Sequence, residues 1–329
     1  MTSDIDTHSH MTPADSRPYS LIRCSSDSEW LDLRSHGIGG SDVAAIMGLS
    51  PWRTPYQVWA DKVLGVREDI SGKPSVEWGT ILEPVVGDHY KTEHPDRTVR
   101  RVNAVCRSHA RPWAQASLDY EVRDPDLGWG VLEIKTASLR TADAWADGVP
   151  LFYQTQVTHY LSITGRTYAD VAVLIGGQDY REYRIERDED DIAAVNAAVD
   201  SFWHDHVEAE VAPDVGAGDT STLFSQHPKP SEDLTEMDET PTLLTRWLSA
   251  KDDADAAKKR VSALDAKLRQ MIGDSRGIEC PKGRLTWVRG ESSRLDTKRL
   301  RAECPDIAER YMTKSTRDGG LRFSASKEG

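Results

Sequence analysis

As far as Pro213, apolar residues recur along this chain at the spacings of short strands and of helices. Tyr168 to Gly176 is apolar and rich in β-branched residues, which predicts a buried strand. Arg181 to Glu186 alternates as its hairpin partner across Gly176-Gly177-Gln178-Asp179. Gly130 to Thr136 predicts a half-buried strand, with Val131, Glu133 and Lys135 on one face and Leu132 and Ile134 on the other. Val99 to Val105 and Trp113 to Leu118 read as further strands. Helical spacing predicts Ser28 to Arg34 with Ser28 or Asp27 as N-cap, a short helix capped by Ser41 and ended by Gly48, and Tyr56 to Leu64. Val76 to Val86, an amphipathic Pro150 to Leu161 and Asp190 to Glu210 complete the set.

The rhythm then changes. Residues 216–240 are rich in Ser, Thr, Pro, Asp and Glu and read as a linker. From there Leu243, Trp247, Ala250, Ala254, Ala257, Val261, Leu264, Leu268 and Met271 fall at heptad spacing. They predict a long helix whose narrow seam suits a coiled coil or docking on another helix, its own domain included. A strand at 284–288, a helix over 297–311 and a last strand at 321–323 make a small α+β appendage. The expected organisation is therefore a disordered polar leader (1–20), a main domain (21–213), a linker (214–240), a long helix (241–275) and a C-terminal region (276–329).

Composition narrows the classes of function. With 38% hydrophobic residues and ten Trp, the chain can bury a core, and no apolar run reaches the length of a membrane span. Its four Cys stand far apart without a Cys-x-x-Cys pair, so reduced thiols in the cytoplasm are expected rather than a disulfide framework or a zinc site. The formal charge of −13 excludes a uniformly basic nucleic-acid surface. Any contact with DNA has to be local. The region from Arg276 onward runs against this balance, with 13 Lys and Arg to 8 Asp and Glu, and is a candidate DNA- or partner-binding appendage or a small structural domain.

The candidate chemistry lies between Ser117 and Lys135. Asp119 and Glu133 sit at the ends of two neighbouring strands, and bringing them together costs electrostatic energy unless a cation lies between them. Hard oxygen ligands suit Mg²⁺ or Mn²⁺. Lys135, on the same side as Glu133, can reach a water or a phosphate oxygen. Gln156 and Tyr160 lie four apart and share a helix face that could hold a phosphate or orient Lys135. Gly37-Ile38-Gly39-Gly40-Ser41-Asp42 is either an ordinary Gly-rich turn before a helix or, with Arg34, a phosphate site.

Arg34 with Gly37 to Asp42, Trp78-Gly79 with Glu83, Leu118-Asp119, Glu133-Ile134-Lys135 and Gln156-x-x-x-Tyr160 occur in the order of a known family. The chain from Trp30 to Pro213 resembles the YqaJ-like phage recombination nucleases, relatives of the lambda-type alkaline exonuclease within the PD-(D/E)XK superfamily. The resemblance implies a restriction-endonuclease-like α/β fold, a mixed central sheet flanked by helices. It implies Mg²⁺-dependent 5′→3′ digestion of duplex DNA ends that leaves a 3′ strand for a single-strand annealing partner, and a homo-oligomer, a trimer in the family, in the cytoplasm of a bacterial host. By position, Glu83, Asp119, Glu133 and the carbonyl of Ile134 match metal ligands. Lys135 matches the residue that acts on the attacking water, Gln156 its support, and Arg34 and Ser41 the 5′-phosphate site, with Tyr160 beside it. Leu118 stands where the motif has proline. Two other readings are an inert DNA-end-binding recombination scaffold and a structure-specific endonuclease of the same fold. An iron–sulfur nuclease would need closely spaced cysteines near the end of the domain, which Cys280 and Cys304 are not.

Overall fold

A computed structural model describes residues 17–70, 72–227, 234–288, 290–291, 293–313, 321 and 323. Chain contacts divide it into Met1–Pro228 and Lys229–Gly329.

The first unit begins with β1 (Tyr19–Ile22), so the expected leader is too long by its last residues; those before 17 lie outside the described residues. Then come α1 (Asp27–Ser35), α2 (Gly40–Ile46), α3 (Pro55–Val63) and α4 (Pro74–Glu93). The cap of α1 is Ser26, whose hydroxyl accepts from the Glu29 N–H at 3.2 Å, rather than Ser28 or Asp27. The stretch read as a strand from Val99 to Val105 is two strands, β2 (Thr98–Arg101) and β3 (Val105–Ser108), and they belong to different sheets. After β4 (Gln115–Ser117), β5 (Tyr120–Asp124) and β6 (Gly128–Ala137), the crossover helix α5 (Leu151–Thr164) leads to β7 (Tyr168–Ile175) and β8 (Asp179–Glu186). Helix α6 (Glu189–Phe202) continues into a π-helical turn over Trp203–Glu208.

The central sheet has the order β2-β5-β6-β7-β8. Its β6–β7 pair is parallel and the other pairs are antiparallel, which makes it mixed. Parallel neighbours require a long crossover, and α5 supplies it. A smaller antiparallel sheet, β1-β3-β4, flanks it.

Strand β6 is not half-buried as its alternation suggested. Val131 packs with Val157 and Leu161 of α5 on one face, while Leu132 and Ile134 pack with Val86 and Tyr90 of α4 on the other. A central strand with helices on both faces buries both its residue sets. Alternating charge here therefore marks buried carboxylate and ammonium groups, not a solvated face. Helix α5 differs from expectation in the same way: Thr155 to Leu161 is buried without a break, polar residues included. A third cluster joins Ile38 and Val43 to Tyr56, Trp59, Val195, Val199 and Phe202, and fixes α2 and α3 against α6.

The expected linker starts too early. Residues 217–219 form a 3-10 turn that leads into α7 (Thr220–Gln226). Asp219 is buried and accepts a short hydrogen bond from the Thr54 hydroxyl, and the Tyr56 hydroxyl donates to Gln226 at 2.9 Å.

The second unit holds α8 (Thr242–Ile272), a hairpin of β9 (Gly277–Cys280) and β10 (Gly283–Thr286), α9 (Thr297–Glu303) and α10 (Pro305–Arg310). One helix was expected over 297–311; Pro305, which lacks the N–H a helix interior needs, divides it in two. On α8 the seam residues Leu243, Val261, Leu264 and Met271 are exposed. The strand expected at 321–323 includes residue 322, outside the described residues.

Candidate active site

Sheet register opens the site. Pairing of β5 with β6 stops at Tyr120 opposite Leu132, whereas β7 runs beside β6 as far as Ala137. Beyond Leu132 the β5-side edge of β6 has lost its ladder partner. Asp119, the residue before β5, fills the gap: its Oδ2 accepts from the Ile134 N–H at 2.8 Å. In a strand, the N–H and C=O of one residue point to the same edge. The Ile134 carbonyl therefore faces the side on which Asp119 lies.

Glu133 is almost fully buried. Its Oε1 accepts from the Lys135 ammonium at 2.5 Å and from the Gln156 amide at 2.7 Å, while its Oε2 is buried with no partner. Burial first, and then the Asp119 carboxylate, push the Glu133 carboxyl up to about 8. Burial also raises Asp119, against the Lys135 ammonium, which lowers it. The Lys135 ammonium is pulled down by burial, but the Glu133 and Asp119 carboxylates outweigh this and leave it raised. Gln156 donates onward to the Tyr160 hydroxyl at 2.9 Å. The amide thus orients Glu133 rather than Lys135, whose other neighbour is the ring of Tyr153 at 4.9 Å.

Glu83 approaches from α4, on the other layer. Burial and then the Asp119 charge raise its carboxyl, which places it in the same electrostatic cluster, but it is ion-paired to Arg101 at 2.7 Å.

Arg34 and Ser41 come together as the sequence suggests, with the guanidinium donating to the hydroxyl at 2.7 Å. Ser41 is not the cap. Gly39 is, and the Asp42 carboxylate accepts its N–H at 3.1 Å. Asp42 faces inward, where Arg53 at 2.6 Å and Lys62 at 3.0 Å neutralise it. Burial opposes its charge, yet Lys62 and Arg53 hold its carboxyl well below the usual range. Its charge is taken up mainly by these two cations, with Arg34 a weaker electrostatic partner. The Lys62 ammonium also donates to the Arg34 carbonyl at 2.7 Å. With only seven residues, α2 has little dipole to offer, so Arg34 and Ser41 are the phosphate-binding candidates themselves.

Gly40 joins the two halves. A Cβ there would lie 2.5 Å from Tyr160 Cε1 and 2.8 Å from Gln156 Cγ. Only glycine lets the start of α2 lie this close to the α5 face that carries the Glu133 contacts.

Hard oxygens from Asp119 and Glu133, the unpartnered Glu133 Oε2 and the free edge at Ile134 fit a divalent cation by donor chemistry. Among the described residues, no three carboxylate, His or Cys side chains converge on one point as they stand. Glu83 would have to exchange Arg101 for the ion. Sequence reasoning missed Arg101, Lys62, Tyr153 and Trp52. Of these only Tyr153 was within reach, since it lies one helical turn before Gln156 on the same face.

Residues 29–167 match the YqaJ-like viral recombinase domain. Protein YqaJ of Bacillus subtilis (strain 168) is 30% identical over 295 residues, covering 87% of this chain and 90% of that protein. Protein D345L of African swine fever virus (strain Badajoz 1971 Vero-adapted) is 32% identical over 59 residues, 18% of this chain and 17% of that one. Among solved structures, the alkaline exonuclease LHK-Exo of Laribacter hongkongensis matches with a TM-score of 0.48 and 25% identity, over 61% of this chain and 98% of that one. With this domain match and a relative aligned along most of its length, the chain belongs to the YqaJ-like viral recombinase family.

Proposed function

We propose that the chain is a Mg²⁺-dependent 5′→3′ exonuclease of duplex DNA ends, acting in recombination by leaving a 3′ single strand for an annealing protein. The carrying observation is one face of α5, where Gln156 bonds Glu133 and Tyr160 packs against Gly40, so that a cluster of carboxylates and a lysine is tied to an arginine–serine pair. Asp119, Glu133, Glu83 and the Ile134 carbonyl would hold the cation, with Mn²⁺ as a substitute. When bound, it neutralises charge on the phosphoryl oxygens and acidifies water. Lys135, held by Glu133, directs its ammonium at the attacking water or the developing phosphate charge. Gln156 fixes the Glu133 carboxylate, and Arg34 with Ser41 holds the terminal 5′-phosphate by charge-assisted hydrogen bonds. Assembly as a trimer and residence in the bacterial cytoplasm belong to the same reading. Among the described residues, no helix is long and apolar enough to cross a membrane.

The test is digestion of linear and covalently closed duplexes with Mg²⁺ and with EDTA. Degradation of linear DNA alone, faster with a 5′-phosphate and stopped by EDTA, is expected. Equal cleavage of closed circles would favour an endonuclease, and DNA binding without cleavage would favour the inert scaffold.

A further inference from the structure

Trp52 leaves 64% of its surface in solvent, although it lies edge-on to Phe152 at 4.8 Å and beside Tyr153 at 5.9 Å between ring centroids. Tyr153 in turn carries the Lys135 ammonium over its ring at 4.9 Å. The exposed indole is thus two ring contacts from a candidate catalytic group.

Its turn is held firmly. The Ser50 hydroxyl accepts from the backbone N–H groups of Trp52 and Arg53, each at 3.2 Å, and the Ser50 N–H donates to the Ala44 carbonyl at 3.0 Å. Arg53 anchors the turn to Asp42 at 2.6 Å and Asp61 at 2.7 Å. Because the backbone is already ordered, a ligand stacked on the ring would cost little further entropy.

Position along α5 names the ligand. Tyr153, Gln156 and Tyr160 lie three and four residues apart and share one face, about 10 Å from first to last at the rise of an α-helix. The Arg34–Ser41 end lies against Tyr160 through Gly40, Glu133 lies at Gln156, and Lys135 lies at Tyr153. A strand whose end phosphate sits at Arg34 and which passes Glu133 and Lys135 brings a base to Trp52. Every base has a π-face, so stacking there is tolerant of sequence, as digestion of arbitrary DNA requires.

We propose that Trp52, seated on Phe152 and Tyr153, is a stacking platform for a base next to the scissile phosphate, and so a positioning residue for the DNA strand. This rests on the nuclease reading above. The test compares 5′-phosphorylated linear duplexes that are complete, or abasic at the first, second or tenth position of the 5′-ended strand. Binding is measured in EDTA and digestion in Mg²⁺, for wild type, Trp52→Phe and Trp52→Ala. Wild type should bind and digest the duplex abasic at one of the first two positions about five- to a hundredfold less well than the complete one, and the tenth-position duplex normally. Trp52→Ala should treat the complete and the abasic duplex alike while keeping its preference for a 5′-phosphate. Trp52→Phe should retain most of the discrimination. Slowing of all duplexes by one factor in Trp52→Ala would mean that the indole only supports Tyr153 and Lys135, and would overturn the proposal. So would equal discrimination by wild type and Trp52→Ala, which would leave the ring as a protein-contact surface. A wild-type protein that digests no linear duplex would instead overturn the nuclease reading on which the proposal rests.

Discussion

A single added methyl group at Gly40 should separate the two halves of the site. In an open helical first turn, Gly→Ala is neutral or favourable by up to about 1 kcal/mol. Here the new carbon would lie 2.5 Å from Tyr160 Cε1, 2.8 Å from Gln156 Cγ and 2.9 Å from Tyr160 Cζ. Carbon atoms rest about 3.5–4.0 Å apart, so α2 must retreat by about 1 Å or Tyr160 must rotate and give up its hydrogen bond from Gln156. Neither side chain has space to yield, since both are buried. Overpacking of this kind costs about 1–3 kcal/mol, which reverses the sign expected from helix propensity. The effect on turnover should be larger than on stability. A shift of about 1 Å between a bound phosphate and the catalytic groups can cost about a hundredfold in rate. Urea denaturation of the apo protein measures the first quantity, and digestion of 5′-phosphorylated linear duplex the second. Gly40→Ala with wild-type stability and wild-type digestion would refute the claim that this close approach couples the phosphate-binding pair to the carboxylate cluster.

Four further outcomes are expected. Glu133→Gln should abolish cleavage and leave binding of DNA in EDTA intact; because the buried carboxyl is raised to about 8, the wild-type apo protein loses stability as pH rises above the ordinary glutamate range, and the variant should not, as thermal melts at pH 5 and 9 will show. Arg34→Ala should remove most of the preference for phosphorylated over hydroxyl 5′ ends, about ten- to a hundredfold for a charge-assisted contact, and unchanged preference in paired digests would dismiss the assignment. Buried His159 stays neutral down to about 4, while an unfolded histidine protonates near pH 6.5, so folded protein loses stability as pH falls through that window by up to about 1.4 kcal/mol per unit; His159→Gln should flatten that slope in urea titrations. Asp219→Ala leaves the Thr54 hydroxyl without its partner and should cost about 1–3 kcal/mol, whereas a true linker residue would cost nothing measurable.

What the sequence could show, it showed through local rules. Strand alternation, helical spacing and ordered motifs located Asp119, Glu133, Lys135, Gln156 and Tyr160; the structure joins the last four by hydrogen bonds, sets Asp119 on the Ile134 N–H beside them, and brings Arg34 and Ser41 close by across Gly40. Burial was the quantity misread. The strand of Glu133 and Lys135 reads as half-buried because alternation reports which residues share a side of a strand and not what covers that side; α5 covers it. Long-range partners were out of reach for a related reason. Nothing local tells that Arg101 faces Glu83, that Lys62 faces Asp42, or that Asp219 ends a polar tract by packing under Thr54, since each pairing is set by tertiary contacts between separate elements.

The acidic balance of the chain and the proposed phosphate-binding site are reconciled by how its charges are spent. At −13 overall, long-range attraction for DNA is weak, so the discriminating contact has to be short-range and directional. Asp42, the carboxylate nearest in sequence to the Gly-rich turn, is consumed by Arg53 and Lys62 inside the protein. The Arg34 guanidinium bonds a hydroxyl and lies over the face of Trp30 at 4.6 Å, and among the described residues it makes no ion pair with a carboxylate, although the Asp42 charge still reaches it. A guanidinium oriented by an aromatic ring and a hydroxyl keeps donors for the proposed end phosphate, while burial first, and the Asp119 charge after it, raise the Glu133 carboxyl in the neighbouring cluster. The Arg34–Ser41 pair and the carboxylate cluster both abut one face of α5, and under the proposed function a terminal phosphate would occupy the first and a divalent cation the second. A binding scaffold would need only the first; Glu133 Oε2, buried without a partner at a cost to the fold, is the feature that favours the proposed nuclease over it.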